Sequence, residues 1–230
     1  MISDTGTNLS VLIVSEASVT NEWMAYAAWY SFFKNAPDAK VAISCLRTNK
    51  RIHQLMNWAN RLKISYAYHN KISAENETLN KVQSTICSLN RGFIGFPLLI
   101  IDADVLLVRE LDLGVLQKTS RSPDSRVWFL DETATAKDIA GILDSFVIGE
   151  DKVEQLPIEP RLCVGTKEKG GSLVNIHDGM GRFNTQTWID KNKGCPFGKA
   201  FRFHKDDMTL NEKKVLELWG QMAALFRTIF

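Results

Sequence analysis

The sequence predicts an α/β fold: a single domain on a Rossmann-like, mostly parallel central sheet flanked by helices, with a C-terminal helix. Three observations carry this. Short apolar runs alternate with helical patterns four times in about the first hundred residues, the rhythm of a parallel sheet with crossover helices. The run 98–101, LLII, is continuously apolar, as in a strand covered on both faces. The chain has 230 residues, 45% of them hydrophobic, with 6 Trp and 12 Phe, enough for one large core.

In order, residues 10–14 read as the first strand and 22–33 as an aromatic-rich helix, closed by Asn35-Ala-Pro-Asp. Residues 41–46 form a second strand. Over 51–62, Ile52, Leu55, Met56, Ala59 and Leu62 fall on one helical stripe. A third strand at 64–68, a helix at 79–90 and a fourth strand at 98–101 follow. After Asp104 the rhythm changes: a strand at 126–130, a helix at 136–146, irregular chain with Pro157 and Pro160, and short strands at 172–176 and 200–203. Thr209 and Glu212 make a capping box for the last helix, whose apolar face of Val215, Leu218, Trp219, Met222, Leu225, Phe226 and Ile229 packs on the domain.

The formal charge is only +2 with the basic residues scattered, so composition gives no footprint for nucleic acid. The first eighteen residues carry no basic segment, and the run 9–14 is too short for a signal core or a membrane span; a cytoplasmic setting is expected. Cys45, Cys87, Cys163 and Cys195 form no CxxC pair, which predicts reduced, mostly buried thiols rather than a zinc knuckle or a disulfide framework.

The stretch PLLIIDADVLL carries Asp102 and Asp104 where a buried strand should end. Fourteen aspartates in a chain of this length make about one Asp-x-Asp by chance, so position decides. Alternate residues of a strand point the same way, and ligands bind open α/β sheets at the carboxyl ends of their strands. Two adjacent carboxylates repel unless a proton or a cation lies between them. Mg²⁺ or Mn²⁺ suits such oxygen ligands and keeps positions open for phosphate oxygens.

The segment 79–111, LNKVQSTICSLNRGFIGFPLLIIDADVLLVREL, resembles the core of nucleotide-sugar glycosyltransferases of the GT-A fold: a helix carrying a lysine, a hydrophobic strand, then DxD. The late segment, KVEQLPIEPRLC followed by SLVNIHDGMGRF, is similar to that of family-8-type enzymes. The resemblance implies that Asp102 and Asp104 bind a divalent metal bridging the diphosphate of a donor such as a UDP-sugar, with His177 as third ligand. It implies also that Lys81 meets donor phosphates or sugar and that the backbone at Ala103 approaches the ribose. The chain departs from the family in lacking an Asn-x-Gly segment between Asp104 and Lys152, and in placing Arg182 and Trp188 where Lys-Pro-Trp is usual. Residues 9–111 then form the donor-binding half, 112–205 the acceptor and metal-completing half, and 206–230 the last helix.

The residues themselves add further candidates. His177 ends a short apolar strand before Asp178 and Gly179, and a neutral imidazole is an acceptable Mn²⁺ ligand; His204 ranks second. His53 and His69 read as solvated or packed. Arg182, in GMGR, can neutralise charge on a leaving diphosphate, and Lys167 and Lys169 stand in a glycine-flanked loop. Ser15 and Glu16 follow the first strand, where base and ribose would lie, and Arg47 follows the second. Asp131 and Glu132 follow the strand RVWFL and are candidates for a general base, with Asp178 a further one.

The expectation is a metal-dependent glycosyltransferase moving a sugar from a nucleoside diphosphate to a hydroxyl of a glycan, a protein or a modified DNA base. The rivals are a sugar-phosphate nucleotidyltransferase, disfavoured because VSEASVTNEW lacks a glycine-rich basic loop, and a non-catalytic relative, suggested by the missing Asn-x-Gly.

Overall fold

The computed structural model describes residues 8–16, 19–47, 59–71, 77–111, 127–130, 132–135, 137, 173–175, 217–218 and 221. Strands β1 (Ser10–Glu16), β2 (Lys40–Arg47), β3 (Ser65–Asn70), β4 (Leu98–Asp102), β5 (Val105–Leu107), β6 (Val127–Leu130) and β7 (Leu173–Asn175) alternate early with helices α1 (Val19–Asn35) and α2 (Glu77–Asn90). Five strands form the central sheet in the order β3-β2-β1-β4-β6. β1 pairs in parallel with both β2 and β4, β2 pairs in parallel with β3, and β6 runs antiparallel to β4. The fold is therefore the expected mostly parallel sheet flanked by helices.

Side chains alternate across this sheet. Val11, Ile13, Ile43, Leu99, Ile101, Val127 and Phe129 face one way and pack with α1. Leu12, Val14, Ala42, Leu98, Ile100, Trp128 and Leu130 face the other way, toward Val82 of α2. Residues 24–32 of α1 are buried without a break, the pattern of a helix covered all round. Leu218 of the C-terminal segment joins the α1 cluster, and the Tyr30 hydroxyl lies 3.5 Å from Gln221 Oε1, as the apolar face of the last helix predicts.

Two helix ends share one mechanism. After α2, Gly92 takes φ +66° while its amide donates to Leu89 O and the Phe93 amide donates to Ser88 O, a Schellman closure in which glycine meets the left-handed position without strain. The helical residues 59–62 close the same way around Lys63, φ 54°.

The sequence pattern missed β5. Val105–Leu107 leaves the main sheet to pair antiparallel with β7, Val105 opposite Asn175 and Leu107 opposite Leu173. α1 holds it from the other side: the Leu107 amide donates to Ser31 Oγ at 2.9 Å, and Asn35 Nδ2 donates to Leu107 O at 2.8 Å. The expected elements at 136–146, apart from helical Lys137, and at 200–203, and most of 51–62, lie outside the described residues.

Candidate functional site

Strand order locates the crevice. From β1 the chain builds outward through β2 to β3, then returns to lay β4 on the other side of β1. Neighbouring connections leave β1 and β4 in opposite directions, and the gap above their carboxyl ends is the switch point where open α/β sheets bind ligands. Val14 is paired with Asp102, so Ser15 and Glu16 flank Ala103 and Asp104 across that gap.

Asp102 is the last residue of β4 and shares the α2-side face with Leu98 and Ile100. The positive charge that a carboxylate here demands comes from α2: Lys81 Nζ lies 2.7 Å from Asp102 Oδ1. The lysine side chain is only 5% exposed and that of Asp102 29% exposed. The ammonium also lies 5.2 Å from the centre of the Trp128 ring on β6, within cation–π range. The Thr85 hydroxyl donates to the Lys81 carbonyl at 2.9 Å on the same helix. Lys81, predicted against the diphosphate, is thus packed under the sheet edge and engaged by Asp102.

Asp104 is not on the strand. Ala103 and Asp104 form a turn between β4 and β5, so strand alternation stops at Asp102, and the second carboxylate is aimed by turn geometry. Its Oδ1 is buried with no hydrogen bond, while the residue makes other contacts. Two carboxylates at the carboxyl end of β4 offer oxygen ligands of the kind that suit a hard cation. His177 lies outside the described residues, as do Arg182, His204, Asp178, Lys167 and Lys169. Among the described residues no group of three or more His, Cys, Asp and Glu is gathered to hold a metal.

The remaining predicted residues divide by strand direction. Ser15 is buried, its hydroxyl donating to the carbonyl oxygens of Glu16 and Asn21 and so fixing the chain between β1 and α1. Glu16 forms an ion pair with Lys71, just past β3, spanning the end of β2. Arg47 ends β2 opposite Asn70. Glu132 follows β6, and for it the expectation needs correcting. β6 is antiparallel, with Leu130 opposite Leu98 and Val127 opposite Ile101, so its end points away from the crevice. Glu132 is exposed beyond Leu130, and β4 alone puts about 13 Å between its two ends at ~3.3 Å per residue. Asp131 itself is outside the described residues.

Sequence reasoning missed Trp128 and Lys71. Trp128 shares the α2-side face with Leu130 and would be read as core; only the strand pairing puts it beside Lys81. His69 is packed, as expected: its ring nitrogens reach Ser44 Oγ at 3.4 Å and Ser84 Oγ at 2.9 Å. Burial, aided by Arg91, pushes its imidazole down to about 4. Cys45 and Cys87 are free thiols, Cys45 buried. A cavity of about 170 Å³, bounded by Leu9, Pro37, Asp38 and Glu110, sits at the amino ends of β1 and β2, away from the carboxylates.

No family model matches the chain, and no curated protein does. Among solved structures it is similar to the glycosyltransferase GlyE of Streptococcus pneumoniae TIGR4, at 14% identity and TM-score 0.37 over 65% of this chain and 40% of that one. The apo form of GlyE gives 10% identity and TM-score 0.43 over 97% and 64%. The galactosyltransferase LgtC with donor and acceptor sugar analogs gives 11% identity and TM-score 0.42 over 96% and 100%. The chain spans less than two thirds of the GlyE chains it matches.

Proposed function

We propose that the chain is a metal-dependent glycosyltransferase that moves a sugar from a nucleoside diphosphate donor, a UDP-sugar, to a hydroxyl acceptor. The observation that carries this reading is the pair Asp102 and Asp104 at the carboxyl end of β4, in the crevice between β4 and β1. Asp102 and Asp104 would hold Mn²⁺ or Mg²⁺, oxygen ligands suited to a hard cation. His177 joins them in this reading because β7 runs toward the pair. Asn175 lies opposite Val105, the residue after Asp104. When bound, the ion supplies Lewis-acid stabilisation of the departing diphosphate.

The chain's own residues do the rest. Lys81 holds the Asp102 carboxylate in one orientation. Ser15 fixes the chain after β1, over which the nucleoside would lie, and the Glu16–Lys71 pair walls that side of the crevice. Arg182, in the glycine-flanked GMGR, would add positive charge beside the leaving diphosphate. Glu132 follows β6, which runs opposite to β4, and is given no role as a base in this reading.

Thermal unfolding with UDP, GDP and CDP, each with and without Mn²⁺, tests the reading, because a ligand that binds only the native state raises its melting temperature. A rise with UDP that needs the metal and disappears in Asp104→Asn is expected. No rise with any pair, in a folded protein, would return the chain to a non-catalytic role.

A further inference from the structure

We infer that the corner of the molecule where the amino ends of β2 and β3 meet the end of α2 is a docking surface for the phosphate backbone of a single nucleic-acid strand. This corner lies at the opposite end of the sheet from the Asp102–Asp104 turn and does not depend on the transfer reading.

Charge is unevenly divided along the chain. The total is a balanced +2, yet residues 40–101, which supply β2, β3, α2 and most of β4, hold nine Lys and Arg against two acids, Glu75 and Glu77. The rest of the chain holds nineteen against twenty-four. From Lys40 to Ala74 there is no acidic residue. A local excess of this kind is the electrostatic footprint that a polyanion recognises.

The fold gathers part of this charge in one place. Lys40 is the first residue of β2, and its Nζ donates to the Gly92 carbonyl at 2.8 Å, beside Arg91, which follows α2. Ser65 of β3 lies opposite Ala42, so Lys63, two residues earlier, stands at the strand end next to Lys40, with neighbouring strands about 4.8 Å apart. Lys40, Arg61, Lys63 and Arg91 are all exposed. Among the described residues no ion pair joins Lys40, Lys63 or Arg91 to a carboxylate. Backbone amides already close the nearby helix ends, Gly92 donating to Leu89, Phe93 to Ser88 and Ile64 to Ala59, so these cations are not needed as caps. Their charge faces water.

The adjoining edge favours a nucleic-acid strand over a lipid surface. β3 is the outermost strand of the central sheet, and its half-buried Tyr68 stacks on Tyr66 with ring centres 6.3 Å apart. Aromatic rings beside a basic track are what unpaired bases stack on. A lipid surface is held by apolar anchors as well as charge. Among the described residues the exposed large apolar side chain is Phe33, on α1, across the sheet from α2.

The test is fluorescence anisotropy of a labelled oligothymidylate of about 20 nucleotides, titrated with the full chain. Binding at low salt should weaken about tenfold between about 50 and about 150 mM NaCl, the dependence expected when about three phosphates are neutralised. The triple variant Lys40→Gln, Lys63→Gln, Arg91→Gln should bind at least about tenfold more weakly and lose most of the salt dependence, with circular dichroism and melting temperature like those of the parent. A folded parent protein that binds no oligonucleotide, or binds it without response to salt, overturns the inference, and neither result needs a variant to fold. So does a triple variant that binds as the parent does. Vesicles containing anionic lipid that bind the parent but not the variant, while the oligonucleotide binds neither, would assign the corner to a membrane surface and overturn the nucleic-acid partner.

Discussion

The two faces of the central sheet are built from different chemistry. On the α1 side the helix is buried along residues 24–32, and Tyr26, Trp29, Tyr30 and Phe33 form a run of ring contacts, Tyr26 to Trp29 at 5.7 Å and Trp29 to Phe33 at 5.4 Å. On the α2 side the helix turns Asn80, Lys81, Ser84, Thr85 and Ser88 inward beside apolar Val82. The first face buries area and asks little of direction. The second buries polar groups, and two of their partnerships, Lys81 with Asp102 and Ser84 with His69, tie α2 to the carboxyl ends of β4 and β3. Stability is concentrated on one side and positioning on the other.

Substitution on each face separates these roles. Phe32→Ala, at a fully buried ring on α1, should lose about 3–5 kcal/mol in denaturant unfolding, because the cavity adds to the lost transfer energy. A loss under about 1 kcal/mol would mean that this face is not tightly packed. On the α2 face, Asp102→Asn leaves the buried ammonium without its charge partner, which should cost about 2 kcal/mol, below the range for fully buried pairs because Asp102 is partly solvated. Lys81→Met should cost less, since Asp102 can still meet water. Combining the two should recover most of the loss, and additive single losses would show that the pair is not coupled.

The smallest expected effect depends on pH. The folded protein holds the His69 imidazole at about 4 against an ordinary 6.5, so below pH 6.5 the unfolded chain takes up a proton that the fold resists. The contribution of His69 is complete above pH 6.5 and is lost as pH falls toward about 4. His69→Gln should flatten the fall in melting temperature between pH 7 and 5. An unchanged slope would show that the ring is solvated.

Legibility followed the distance over which each feature is encoded. β1 to β4 and both helices were readable because their apolar runs and turn residues are local; their ends moved by one to three residues, as with β1, which continues through Ser15 and Glu16. β5 has three residues directly after two aspartates, too few for a periodic pattern, and its partner β7 comes far later. The direction of β6 was not readable, since parallel and antiparallel strands can share one burial pattern, and that alone moved Glu132 to the wrong end. Asp102 was readable by position. Lys81 was readable as basic but not as buried: lysine is a solvated residue by default, and only a carboxylate from β4 and a ring from β6, brought together by the sheet, reverse that.

The pairing of β5 with β7 also sets an order of assembly. The parallel strands through β4 join segments within the first hundred or so residues, whereas the strand that clasps the chain just beyond Asp104 is Leu173–Asn175. Long-range pairings pay loop-closure entropy before they gain contacts, and chains made from their N-terminus acquire distant partners late. During synthesis the scaffold can therefore form while the carboxylate turn still awaits its partner strand, held by the packing of β5 against α1 and by the grip of Ser31 and Asn35 on Leu107.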